Sequence, residues 1–198
     1  MDGANVRASA TAEQILDVAE RLVQARGFNG FSYADVAAEL GITKAALHYH
    51  FPAKSDLGQA LIDRYAQRFL AALAEVEALL AEAPARLRAY ADLYGQALQG
   101  DRMCLCGMLA AEYRTLPESM RQAVARFFDA NEAWLEKVLA EGRRQGSLAF
   151  AGSAREAARL IVSGLEGAML VARPYGEIER FTATVEHLIA SLTAARPR

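Results

Sequence analysis

"FSYADVAAELGITKAALHYHFPAKSDL", residues 31–57, is the stretch that decides the fold. Ser32 stands before an apolar stripe of Val36, Ala37 and Leu40, with Asp35 three residues on. That spacing predicts a short helix begun by a capping box, or by an acid at the positive helix start. Gly41 can take the left-handed conformation that ends it. Thr43 caps another helix at once, and Pro52 stops that helix just past Phe51. Two short helices across a tight glycine turn make a helix-turn-helix. Its packing demands are met: Ala37 is small where the second helix crosses, and Ile42 and Leu47 are expected inward against Val36 and Leu40.

The second helix also gathers donors. The chain has three lysines and three histidines, and Lys44, His48 and His50 fall within seven residues, with Tyr49 between the histidines. In this motif the second helix lies in the DNA major groove while the first crosses the backbone. Thr43 and the N–H groups beside it then face a phosphate. Lys44 reaches a base edge or a phosphate, and His48 and Tyr49 offer donors to phosphate oxygens. Ala45 and Ala46 let the helix approach base edges, and an alanine methyl can touch a thymine methyl. Lys54 is expected to clamp the DNA backbone from the next helix. Ser32 and His50 complete the candidate DNA-binding set. His50 and Phe51 serve equally as packing residues that hold the second helix in place.

Around this motif the chain reads as helix throughout. Ile15, Leu16, Ala19, Leu22 and Val23 fall at helical spacing, with Thr11 as an N-cap and Gly27 as the stop. A long helix starts near Lys54, and Leu57, Leu61, Tyr65, Phe69, Leu73, Val76 and Leu80 keep one face apolar until Pro84. Further helices are expected over about 85–99, 102–114, 117–144, 153–172 and 176–194, with residues 194–198 a frayed tail. No stretch alternates as a strand does.

The run from Ile15 to Leu57, "ILDVAERLVQARGFNGFSYADVAAELGITKAALHYHFPAKSDL", resembles the TetR/AcrR family of bacterial transcriptional regulators. The matching stretch covers about residues 8–68, and the closing "HF-P-x-K-x-x-L" is specific to it. The resemblance implies an all-α homodimer with a three-helix DNA-binding head at 8–68. A variable ligand-binding and dimerisation domain follows at 69–194. It also implies that a small ligand shifts the linking helix and separates the two heads beyond operator spacing. Two features depart from the usual pattern. Many members have tyrosine where this chain has His48, and many carry a basic N-terminal arm where this one offers Arg7. The first 52 residues hold four basic and six acidic side chains, so few phosphate contacts and a shallow salt dependence are expected.

The rest of the chain suits a sensor. Residues 160–172, "LIVSGLEGAMLVA", carry small residues at Ser163, Gly164, Gly167 and Ala168, and Ile178, Phe181, Val185, Leu188, Ile189 and Leu192 stripe the last helix. The family resemblance makes these two helices the dimer interface, about 153–194, and a two-fold protein reads a pseudo-palindromic double-stranded operator. Ordinary intramolecular core is the alternative. The expected effector pocket is apolar with a few polar groups. Its candidate lining is Tyr65, Phe69, Tyr90 and Tyr94, then Met103, Met108, Glu112 and Tyr113, then Phe127, Trp134 and Met169. Most of these residues also suit plain core packing.

Cys104 and Cys106 in "DRMCLCGMLAAE" admit three readings. They are small buried hydrophobes, or one is a reactive thiol that senses electrophiles or oxidants, activated by Arg102 and a helix start, or they bind metal. A similar cysteine-bearing segment occurs in family regulators that respond to reactive compounds. No Cys or His cluster completes a metal site, and no cofactor is expected.

Composition narrows the classes. The chain has 198 residues, 53% of them hydrophobic, and a net charge of −2. It can bury a core, and it is not basic overall. No apolar run approaches the roughly 20 residues of a membrane span. No secretory signal is read at the N-terminus, so a cytoplasmic protein is expected. No Ser-His-Asp set, phosphate loop or dinucleotide fingerprint appears. Enzyme sites at Glu112 with Tyr113, or Cys104 with His187, have no support in spacing. The expectation is a ligand-responsive repressor rather than an enzyme. A small-molecule carrier with a vestigial DNA-binding head is the rival.

Overall fold

The computed structural model describes the backbone of residues 2–193 and the side chains of residues 10–193. Arg7 and the expected tail at 194–198 therefore lie outside the described side chains. The helices are α1 (Asp2–Arg26), α2 (Tyr33–Leu40), α3 (Lys44–His50), α4 (Lys54–Leu79), α5 (Ala83–Gln99), α6 (Leu105–Ala111), α7 (Glu118–Arg144), α8 (Ala154–Ala172) and α9 (Ile178–Leu192). Among the described residues the only extended pairing is an isolated bridge between Leu148 and Thr193. The all-α expectation holds.

The chain forms two compact units. One takes the chain up to Gln67 together with Leu105–Val124, and the other takes Arg68–Cys104 and the chain from Ala125 onward. In the first unit, α1 buries Ile15, Leu16, Ala19, Leu22 and Val23, the face its spacing predicted. Gly27 ends α1 with φ +83 and donates its N–H to the Val23 carbonyl at 2.8 Å. A side chain there would also meet the Glu112 carboxylate at 2.7 Å. Gly58 on α4 is equally constrained, since a Cβ would lie 2.5 Å from Met120 and 2.8 Å from Phe28. Arg64 of α4 is tied to α1 by Glu13, Asp17 and Glu20 at 3.0, 2.9 and 2.8 Å. In the second unit, α9 packs on α5 and α8. It buries Phe181, Val185, Ile189 and Leu192.

Three boundaries differ from the sequence expectation. Thr11 lies within α1 rather than at its start. The long helix stops at Leu79, and Pro84 lies in the first turn of α5. A proline ring is harmless there, since the first turn has no intrahelical use for its N–H. The helix expected over 102–114 is the short α6, followed by a 3-10 turn at Tyr113–Thr115.

Candidate nucleic-acid interface and effector core

The helix-turn-helix is locked by local hydrogen bonds. The Asp35 carboxylate accepts the Ser32 N–H at 2.7 Å and the Ser32 hydroxyl at 2.6 Å. Those bonds from Ser32 hold the Asp35 carboxyl below its usual range. Gly41 has φ +65, and the Ile42 N–H closes on the Ala37 carbonyl at 3.1 Å. Thr43 Oγ1 then accepts the Ala46 N–H at 3.2 Å. Leu47 is fully buried, and the Tyr33 hydroxyl donates to the Phe51 carbonyl at 2.7 Å. Burial, then the Asp56 charge, pushes the Tyr33 phenol up to about 12. It therefore stays a donor throughout the physiological range.

This scaffold sorts the candidate DNA contacts. Lys44, Ala45 and Tyr49 are exposed on α3, and the Tyr49 ring is 78% exposed. Ala46 is half-buried. His48 is exposed, but its ring packs on Tyr33 at 4.8 Å and its Nδ1 lies 3.0 Å from the Pro52 carbonyl. His50 is half-buried, edge-on to Tyr49 at 5.1 Å. The Ser32 hydroxyl is engaged by Asp35.

Lys54 does not fit the phosphate clamp expected of it. Its Nζ donates to the Phe28 and Phe31 carbonyls and lies over both rings, 4.6 and 4.2 Å from their centroids. Burial lowers its pKa, against the opposing charges of Glu112 and Asp35. An ammonium so engaged inside the head is a rivet for the α1–α2 loop.

Glu112 is the other half of that rivet and is no pocket residue. Its carboxylate accepts the Phe28 N–H at 2.6 Å and the Asn29 N–H at 3.2 Å. Thr115 Oγ1 takes the Asn29 side-chain amide at 2.7 Å. Tyr113 is exposed beneath the Arg121 guanidinium rather than lining a cavity. Tyr65, Cys106 and Met108 also belong to the first unit. The candidate lining is thus divided between the two units.

The second unit gathers the rest into an aromatic core. Phe69 meets Tyr90, Tyr94 and Phe127 edge-on at 5.9, 5.8 and 5.4 Å, and Trp134 stacks on Tyr90 at 5.6 Å. Met103 and Met169 are buried in the same unit. Tyr94 donates to Tyr90 at 3.1 Å, Tyr90 to Asn131 Oδ1 at 2.9 Å, and Asn131 to the Phe127 carbonyl at 2.8 Å. Burial holds both phenols well above their usual range. Two polar atoms in the core of this unit are buried without a hydrogen-bond partner among the described residues: Trp134 Nε1 and Glu166 Oε1. Such atoms are costly to leave unpaired. A separate groove of about 650 Å³ runs between α5 and α9, floored by Ala91, Gly95, Phe181 and Val185 and rimmed by Arg88 and Glu186.

Cys104 and Cys106 are both buried, and neither is joined in a disulfide. Cys104 precedes α6, and its thiol donates to the Glu166 carboxylate. Arg102 lies instead over Gly100, so the cation expected beside the thiol is not there. Sequence reasoning missed Glu166 and Asn131. Glu166 had a signal, being the one charge within residues 160–172.

On α8, Leu160, Leu170 and Val171 are large apolar side chains left exposed, on the face that carries Ser163 and Gly167. Gly164 turns inward, where a Cβ would lie 3.1 Å from Leu188 of α9, whereas Gly167 faces open space.

Comparison with known proteins agrees with this architecture. Residues 15–61 match the family model for bacterial regulatory proteins of the tetR family, and residues 83–188 match that for the tetracyclin repressor-like C-terminal domain. The HTH-type transcriptional repressor NemR of Escherichia coli is 28% identical over 191 residues, which cover 91% of this chain and 94% of that one. A TetR-family transcriptional regulator from Agrobacterium tumefaciens superposes with a TM-score of 0.91 at 35% identity, covering 94% of this chain and all of the other. The reduced form of E. coli NemR superposes at 0.80 with 25% identity, covering 94% of this chain and all of the other. With both parts of its length matched, the chain belongs to the TetR family and is a helix-turn-helix transcriptional regulator.

Proposed function

We propose that the chain is a homodimeric, ligand-responsive repressor that acts by binding rather than turnover. Residues 8–68 would read DNA, and residues 69–194 would dimerise and hold the effector. The observation that carries this is the outward face of α3. Lys44, Ala45 and Tyr49 stand exposed on a helix whose other side is fixed by Leu47, Thr43 and Tyr33. Rigid placement of a few donors is what groove recognition needs. Lys44 reaches a base edge or phosphate, Tyr49 donates to a phosphate, and Ala45 and Ala46 keep the helix close to the bases. The α8 stripe of Leu160, Leu170 and Val171 supports pairing with a second copy, since removing such exposed apolar side chains from water favours association. The operator is then a pseudo-palindrome with half-sites about one turn apart. The aromatic core of the second unit, with its two orphan polar atoms, is the effector site.

Fluorescence anisotropy of the full chain on labelled DNA from upstream of its own gene, against scrambled DNA, tests the reading. Selective binding lost in Lys44→Ala at unchanged melting temperature supports it. Equal affinity for both DNAs over a range of candidate upstream fragments refutes it and favours the carrier with a vestigial head.

A further inference from the structure

The groove between α5 and α9 is a cavity that the aromatic core does not use. Its volume of about 650 Å³ suits a drug-sized molecule. Gly95 of α5 faces Phe181 of α9, and Leu98 and Gln99 then draw level with Gly176 and Ile178, so the two helices run antiparallel. Asp92 lies three residues back from Gly95, and Glu186 five on from Phe181. At about 1.5 Å of rise per residue the two acids stand within roughly one turn of each other, on opposite walls. The charged side chains of the lining are these two and Arg88, all exposed, which leaves one negative charge in excess. Neither acid makes a hydrogen bond or ion pair among the described residues. Elsewhere in the unit Glu132, Glu141 and Glu177 each hold an arginine, at 3.2, 2.6 and 2.7 Å. Arg88 is one turn from Asp92, yet its guanidinium reaches back to the Pro84 carbonyl at 3.5 Å.

Gly95 keeps the floor open. A Cβ there would meet Phe181 at 3.4 and 3.9 Å, an ordinary contact, and its φ is not positive, so neither packing nor backbone requires glycine. Glycine inside a helix weakens it relative to alanine. The chain thus gives up helix stability at the point where the groove gains depth. Leu188, two residues on from Glu186 and so on another side of α9, meets Gly164 of α8. The groove therefore opens on the flank of α9 that faces away from α8, clear of the exposed α8 stripe.

We propose that this groove is a second binding site, separate from the aromatic core, for a small organic cation with a flat apolar body, of the aryl amidine class. The amidinium sits between Asp92 and Glu186 and donates a pair of N–H bonds to a carboxylate, the geometry that makes such pairs strong. The aromatic body lies over Gly95 and against Phe181 and Val185, which give it an apolar bed. Arg88 repels the cation from its own end of the groove, so the body extends toward Gln99. An uncharged ligand of the same shape gains no ion pair and still strips water from two carboxylates. An anion meets the excess negative charge. The site lies wholly in the second unit and does not depend on the DNA-binding reading.

Isothermal titration calorimetry of the full chain with 4-phenylbenzamidine, beside its neutral counterpart biphenyl-4-carboxamide, tests the site. The amidine should bind once per chain, and the amide about tenfold more weakly or worse. Asp92→Asn combined with Glu186→Gln should weaken the amidine about 20-fold at unchanged melting temperature, since both side chains are exposed and unpaired. Gly95→Leu, which fills the floor, should weaken it at least as much. Absence of amidine binding, equal affinity for the amide, or wild-type affinity in the paired acid variant would each overturn the assignment, the last by placing the probe in the aromatic core instead. Anisotropy on operator DNA without the amidine reports separately on the regulatory reading, so the two can fail independently.

Discussion

Glu112→Ala isolates the rivet that holds the α1–α2 loop. Two backbone N–H groups, of Phe28 and Asn29, lose their acceptor, at 2.6 and 3.2 Å. Hydrogen bonds to a charged group contribute about 1.5–3 kcal/mol each when buried. The Phe28 bond is part-buried and the Asn29 bond is exposed, so water replaces the second at little cost. The expected loss is therefore about 2 kcal/mol in the first unit, and roughly 4–8 °C in melting temperature for a chain of this size. Hydrogen exchange gives the site-specific reading. The Phe28 and Asn29 amides should exchange about 30-fold faster, while Leu47 of α3 keeps at least the protection that global stability allows. Lys54 should hold the carbonyl side of the loop, so Glu112→Ala with Lys54→Met should cost more than the sum of the two changes. Unchanged exchange at Phe28 and Asn29, or a melting shift below 1 °C, would refute the view that Glu112 fixes this loop.

Other expectations follow from the same geometry. Tyr49→Phe should weaken operator binding about fivefold and Lys44→Ala about tenfold or more, neither lowering the melting temperature, as read by anisotropy beside calorimetry. Leu170→Lys should shift the chain toward monomer in sedimentation velocity, because Leu170 is 63% exposed on the α8 stripe and a charge there opposes burial. Gly27→Ala should destabilise by about 1 kcal/mol or more, from the positive φ and the encounter with Glu112 together, and thermal melts measure it. Glu166→Gln should stabilise the chain at pH 8 and scarcely alter it at pH 5. The folded carboxyl at about 7 lies above its ordinary value, so the folded state holds the proton more tightly and loses stability as pH rises from about 4.5 to 7, by roughly 3 kcal/mol. Melting curves of the variant that run parallel to wild type across that range would contradict this sign.

The head was largely legible because its signals are local. A cap at Ser32, a turn at Gly41, a cap at Thr43 and a stop at Pro52 each act within four residues, and the structure keeps all four. Proline itself was the exception at position 84. Its effect depends on whether the helix begins or continues there, which neighbouring residues alone do not decide. Lys54 and Glu112 show the other kind of error. Each was assigned by residue type to what charge ordinarily does, a phosphate clamp and a pocket group. The loop between α1 and α2 took both, because its carbonyls and N–H groups had no helix to satisfy them.

By itself the sequence determined the all-α class, the helix-turn-helix and the order of the helices, since helix periodicity, caps and glycine turns are encoded at short range. Only the tertiary structure decided which donors on α3 remain free, that 105–124 joins the first compact unit, and that a lone glutamate of α8 meets Cys104 from 62 residues away. The physical reason is desolvation. Whether a charge is a solvated face, a rivet or a buried base depends on the atoms that replace its water, and those come from distant parts of the chain.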